Sequence, residues 1–254
     1  MDMTIHQITF SPTGGTRRVC ELLCQNMGHE SRVTELCVPA DRINYPDIKA
    51  EDLAVIAMPV YAGRVPALAV ARLRNIVSHG AKCAVVAVYG NRAYDDALVE
   101  MQDVATEMGF QVIAAVAAIA EHSICRMYGA GRPDEADATE LASFGVAIMN
   151  DIAAGAFHPL HLPGNRPYKQ GGSGPFPTAD DSCTGCGTCA DLCPAGAIPL
   201  DHLQGNDNAL CIGCMKCVSV CPVHARSIGP TLDRLVARLE PLCRERKGNE
   251  MFKD

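Results

Sequence analysis

Apolar and polar positions along the first 156 residues alternate between two periods. Residues 3–10 (MTIHQITF) carry β-branched residues and end in Phe, the pattern of a strand. After a short loop, Val19, Leu22, Leu23 and Met27 recur at helical spacing. Residues 32–38 read as a second strand. Residues 53–60 (LAVIAMPV) form a nearly unbroken apolar run, as expected of a central parallel strand buried on both faces. A helix is expected over 67–78, a buried strand over 82–89, a helix ending at Met108 and a fifth strand over 111–119. Pro133 suits a first helical turn, and Asp134 and Glu135 suit its dipole, so the last helix of this part runs from there to about Ala154. Five strands alternating with helices predict an α/β domain, with a parallel, doubly wound sheet.

The pattern then changes twice. Residues 157–177 are dense in Pro and Gly and read as a linker, partly extended and partly flexible. Residues 178–229 are short, rich in cysteine and too small for a sizeable apolar core, so they form a small α+β unit that needs staples. In residues 230–254, Leu232, Leu235, Val236 and Leu239 share one helical face. A C-terminal helix is expected to dock on the protein itself, and Pro241 is expected to stop or kink it.

Composition refines this picture. A length of 254 residues, 48% hydrophobic and 20% charged, suits one to two globular domains. The net charge of −7 argues against non-specific nucleic-acid binding and suits a basic redox partner protein. The first residues lack a basic segment and a long apolar one, so no secretory signal is expected. The longest apolar run, 112–120, is too short for a membrane span. A soluble cytoplasmic protein is the expectation, and cysteines there are more often metal ligands than disulfides.

Eight of the fourteen cysteines fall in two copies of C-x2-C-x2-C-x3-C-P. The first holds Cys183, Cys186, Cys189 and Cys193; the second holds Cys211, Cys214, Cys217 and Cys221. Zinc sites pair two C-x2-C knuckles without a further cysteine at fixed offset, and disulfides need an oxidising compartment. The repeated run is instead the bacterial [4Fe–4S] signature. Gly185, Gly187 and Gly213 allow the tight turns that aim N–H groups at sulfides. Over 178–229 the chain resembles the 2[4Fe–4S] bacterial ferredoxin family. That resemblance implies two [4Fe–4S] clusters, one on Cys183, Cys186, Cys189 and Cys221, the other on Cys211, Cys214, Cys217 and Cys193. Cys20, Cys24, Cys37, Cys83 and Cys125 read as core filler, with Cys125 the one to watch for reactivity, and Cys243 is not a ligand.

Ser11, Thr13, Gly14, Gly15 and Thr16 lie in SPTGGT, between the first strand and the first helix. No Lys precedes Thr16, so this is not a Walker A loop, and no G-x-G-x-x-G is present. A Ser/Thr-rich helix cap and a phosphate-binding loop remain open on these residues alone. The loop resembles the flavodoxin phosphate loop, (S/T)-x-T-G-x-T. This resemblance implies a five-stranded parallel sheet in the order 2-1-3-4-5, with FMN beyond the carboxyl ends of the strands. Pro59, Val60, Tyr61, Ala62 and Gly63 then follow the third strand, with Tyr61 stacked on the isoalloxazine. Tyr89, Gly90, Asn91, Arg92 and Tyr94 follow the fourth, where Gly90, Asn91 and Arg92 meet the pyrimidine edge. Arg92 either stabilises an anionic flavin or forms a surface ion pair. Glu121, His122 and Ser123 border the pocket or form a turn.

Together with YGNRAYDDAL, the chain resembles the EFR-type iron–sulfur flavoproteins, a flavodoxin-like domain fused to a ferredoxin. The resemblance implies electron transfer between clusters and FMN. Two other classes stay open: a flavin-dependent reductase of a small-molecule acceptor fed by the clusters, and a redox or oxygen sensor. No NAD(P)H site is visible, so a protein donor is expected.

Overall fold

Residues 3–172 and 174–253 are described by the computed structural model. Strands β1 (Thr4–Thr9), β2 (Glu30–Glu35), β3 (Leu53–Pro59), β4 (Lys82–Tyr89) and β5 (Gln111–Ile119) pair in parallel. The parallel strands lie in the order β2-β1-β3-β4-β5, the flavodoxin-like arrangement. Every residue of β3 is buried, as its apolar run requires of a central strand. One face packs Ile8, Phe10, Ile56 and Met58 under α2 (Ala67–Leu73) and α3 (Ala97–Glu107). The other packs Ile5, Val55, Val86 and Val116 under α1 (Gly15–Cys24) and α4 (Glu135–Ala154). Helix α4 starts with a reciprocal capping box between Asp134 and Asp137, just after Pro133.

The sixth strand, β8 (Glu250–Phe252), corrects the five-stranded expectation. It pairs antiparallel with β5 and covers the sheet edge that β5 otherwise exposes. Three residues in a polar tail carry too little alternation to announce a strand. Other boundaries shift for local reasons. Strand β2 starts earlier than residue 32 because its first half is solvated at the sheet edge and carries no apolar signal. Helix α2 stops short of Ser78, where the Asn75 amide donates back to the carbonyls of Ala71 and Arg72.

The stretch from Leu160 to Lys169 is laid along α3 rather than free. The buried Asp96 carboxylate accepts from the N–H and side chain of Asn165 and from Lys169 N. Asp103 pairs with Arg166 and accepts from the Tyr168 hydroxyl. The cysteine-rich unit follows, with β6 (Thr178–Ala179) antiparallel to β7 (Arg226–Ser227) and the short helices α5 (Thr188–Asp191) and α6 (Lys216–Ser219), one inside each cysteine run. Helix α7 (Thr231–Cys243) passes through Pro241 rather than stopping there. It then returns the chain to the α/β domain, where the Tyr128 hydroxyl donates to Val236 O.

Candidate cofactor sites

The three loops singled out in the sequence leave the carboxyl ends of β1, β3 and β4, which are adjacent in the sheet. In the first loop, Gly14 adopts φ 91°, the left-handed region, and α1 begins at the next residue. The N-cap residue Gly14 has no side chain to cap this helix, and no acidic residue lies in its first turn. Arg17 N donates to Ser11 Oγ at 2.9 Å and Arg18 N to Gly14 O at 3.0 Å. The N–H groups of Gly15 and Thr16 meet no acceptor among the described residues. Below the loop, Glu35 accepts from Ser11 N (3.1 Å), Cys37 N (2.7 Å) and Thr9 Oγ1 (3.0 Å), which ties the loop to the end of β2. A helix start with two free N–H groups favours an anion such as a phosphate monoester.

In the second loop, Tyr61 and Arg64 exchange both backbone hydrogen bonds, at 2.8 and 3.0 Å, around Ala62 (φ 52°) and Gly63 (φ 85°). A β-carbon on Gly63 would lie 2.8 Å from the β-carbon of Asp95, so this position needs glycine for space as well as for backbone angle. Arg64 fixes the turn from below. Its fork binds Glu100 through two contacts of 2.7 Å, it donates to Lys169 O at 2.6 Å, and it stacks 4.6 Å from the Tyr168 ring centre.

The third loop is clasped by the C-terminal tail. The Asn91 amide donates to Cys243 O (2.9 Å) and Glu245 O (2.8 Å), while its oxygen accepts from Lys247 N (3.1 Å). The Asn91 side chain is therefore committed to the tail, and only its backbone remains for a ligand. Arg92 pairs with Asp95, the surface ion-pair alternative. Lys247 donates to Arg92 O, and the Tyr94 hydroxyl donates to Glu250 while its ring meets Tyr89 edge-on at 5.3 Å. Gly90 lies against His122, whose Nδ1 accepts from Ile124 N and Cys125 N. Those bonds fix the tautomer with the proton on Nε2, and burial pushes this imidazole below its usual range. Sequence reasoning missed the tail entirely, because Lys247, Asn249 and Glu250 look like an ordinary solvated end.

The thiols of Cys193, Cys211, Cys214 and Cys217 line one internal space with Pro194, Ile198, Ile212 and Met215. Burial pushes the Cys214 thiol up to about 12, and Cys217, Cys193 and Cys211 add to that rise. This is the set in which the fourth cysteine comes from the other run. A group of thiols enclosed by apolar side chains suits a cluster that binds each thiolate at a different iron. In the other set Cys189 is buried and Cys186 is exposed.

The cysteine-rich unit sits directly on the α/β domain. Arg72, buried on α2, donates to Leu36 O and Val38 O on one side and to Pro194 O on the other. Arg42 and Asp191 form a two-bond ion pair. Ile212 packs against the sheet core, and Gly174 meets Gly213 backbone to backbone. Tyr61 is half-buried at this junction. Burial pushes its phenol well above the usual range, and the neighbouring thiols of Cys214 and Cys37 push it further.

A family model described as a 4Fe-4S dicluster domain matches residues 182–226. No curated protein matches the sequence. Among solved structures the chain is similar to a flavodoxin of Streptococcus pneumoniae TIGR4, at 15% identity over 58% of this chain and 99% of that one, with a TM-score of 0.41. It is also similar to a flavodoxin from the domain Archaea, at 14% identity over 59% and 99%, with a TM-score of 0.43. Rubredoxin oxygen:oxidoreductase from Desulfovibrio gigas gives 11% identity over 59% of this chain but 36% of that one, with a TM-score of 0.42. At these identities the likeness concerns the fold alone. The molecule thus joins a flavodoxin-like α/β domain to a C-terminal 4Fe–4S ferredoxin domain. Among the described residues no helix is long and apolar enough to cross a membrane.

Proposed function

We propose that the chain is an EFR-type iron–sulfur flavoprotein that passes electrons between two [4Fe–4S] clusters and FMN. In this reading Ser11, Thr13, Gly14, Gly15 and Thr16 hold the FMN phosphate, with the N–H groups of Gly15 and Thr16 as principal donors. The turn at residues 60–63 and the backbone of residues 89–92 border the flavin ring. Cys183, Cys186, Cys189 and Cys221 hold the outer cluster, and Cys193, Cys211, Cys214 and Cys217 the inner one. The clusters supply single electrons, and the flavin exchanges one or two.

The observation that carries the reading is the junction made by Arg72. It lies on the helix that follows the second flavin loop and donates to Pro194 O, and Pro194 lines the same space as the inner cysteine set. Electrons from a donor protein enter through the outer set, where Cys186 is exposed, and reach the flavin loop through the inner set. Arg72, Arg42 and the pinned segment 160–169 hold that order by fixing one domain on the other. Anaerobic purification with iron, sulfide and flavin analysis tests the reading. It expects about eight iron atoms and one FMN per chain, following the two complete cysteine runs. About four iron atoms, or no FMN released on denaturation, overturns it.

A further inference from the structure

Arg226 on β7 is the most enclosed cation of the ferredoxin domain, with 2% of its surface exposed. Its Nη1 donates to Leu203 O at 2.6 Å and lies 3.8 Å from Cys189 Sγ. Its Nη2 donates to Pro177 O (2.8 Å), Gly205 O (3.3 Å) and Asn206 Oδ1 (2.5 Å). Its Nε is buried with no partner among the described residues. Every oxygen it meets is a neutral carbonyl or amide oxygen, and no carboxylate pairs with it among the described residues.

A guanidinium keeps its charge at any pH a protein survives, and burying one without a counter-charge is costly. The missing counter-charge must therefore come from something other than Asp or Glu. The candidate in reach is a thiolate: Cys189 of the outer set, whose Sγ lies 3.8 Å from Nη1. One fixed positive charge thus stands beside a site that carries net negative charge when loaded.

We propose that Arg226 is the counter-ion of the outer cluster site, a positioning residue that raises the reduction potential of that cluster. Adding one electron to the cluster adds one negative charge beside a fixed cation in a low-dielectric interior, so the reduced form gains most. Leu203, Pro177, Gly205 and Asn206 hold the fork so that its charge is aimed at sulfur. The inference rests on the two-cluster reading above.

Potentiometric titration followed by electron paramagnetic resonance, on wild type, Arg226→Gln and Arg226→Lys, tests it. Iron content of the wild type comes first: about eight per chain supports the underlying reading, and about four sinks that reading independently of Arg226. With iron retained, Arg226→Gln is expected to disfavour reduction of the outer cluster by about tenfold or more, which is ~59 mV for one electron. Arg226→Lys keeps the charge and is expected to restore most of the shift. Unchanged potentials in Arg226→Gln overturn the proposal, as does an equal drop in Arg226→Lys. If Arg226→Gln loses its iron, recovery of iron by Arg226→Lys supports the charge role. Loss of iron in both variants marks Arg226 as a structural pin and overturns it.

Discussion

Replacing Asn249 by Ala should release the C-terminal tail from the flavin-binding edge without unfolding the sheet. Asn249 is buried and makes three bonds at once. Its oxygen accepts from Ile119 N at 2.9 Å, and its amide donates to Asp137 at 3.0 Å and to Glu140 at 2.6 Å. Truncation leaves the Ile119 N–H without a partner and removes two bonds to carboxylates. Unsatisfied buried donors cost about 1–3 kcal/mol and bonds to charged groups contribute about 1.5–3 each, so the sum is about 4 kcal/mol or more, and tail docking should weaken by at least about 3 kcal/mol. The remaining anchors are Asn91 to residues 243–247, Lys247 to Arg92 O, Arg132 to Lys247 O, Arg246 to Asp134, Tyr94 to Glu250, the pairing of β8 with β5, and Lys253 to Asp151. Local release therefore costs less than global unfolding. Hydrogen exchange is the assay. Amides of β8, and of β5 where it pairs with residues 250–252, should exchange at least ~100-fold faster, as about 3 kcal/mol implies. Flavin should dissociate faster, because Asn91, Arg92 and Tyr94 lose their clasp. Unchanged exchange in both strands, with Asn249→Ala folded, would refute the account of the tail.

Three further outcomes follow from the same contacts. Gly90→Ala places a β-carbon 2.6 Å from the His122 side chain and 2.7 Å from its backbone, so thermal stability should fall by about 1–3 kcal/mol and FMN affinity with it; an unchanged melting curve refutes the close approach. Glu100→Gln removes the charge that holds Arg64 and Val65 N, and should lower stability by about 2 kcal/mol and loosen the turn at Tyr61, read by thermal denaturation and by exchange at residues 61–65. Asp137 accepts from Arg132, Asp134 N and Asn249; burial opposes ionisation, but these partners win and hold its carboxyl at about 2. Because that value lies below the unfolded one, Asp137 contributes roughly 2 kcal/mol above about pH 4, lost as pH falls toward 2. The stability gap between wild type and Asp137→Asn should narrow over that window, and a constant gap contradicts the assignment.

Much of this molecule was legible before any coordinates. The central strands announce themselves because burial on both faces leaves Leu53–Pro59 and Lys82–Tyr89 almost wholly apolar. The cysteine runs are legible because cluster ligation fixes both residue type and spacing. What stayed hidden depends on partners far apart in sequence. Nothing near Asn91 says that its amide serves residues 243–247, a separation of more than 150 positions. Arg226 reads as an ordinary surface cation until the fold closes Pro177, Leu203 and Cys189 around it. The Pro/Gly-rich segment reads as flexible, yet Asp96 and Asp103 fix it, because its polar groups meet carboxylates whose position only the fold supplies.

The central claim is that the inner cluster and the flavin loop are joined within one chain, through the junction where Arg72 meets Pro194 beside the inner cysteine set. Flash reduction of the loaded protein, with separate optical signals for cluster and flavin, tests it directly. The account predicts that electrons leave the clusters and arrive on the flavin in a first-order step whose rate is independent of protein concentration. A rate that rises in proportion to concentration means transfer between chains and contradicts it.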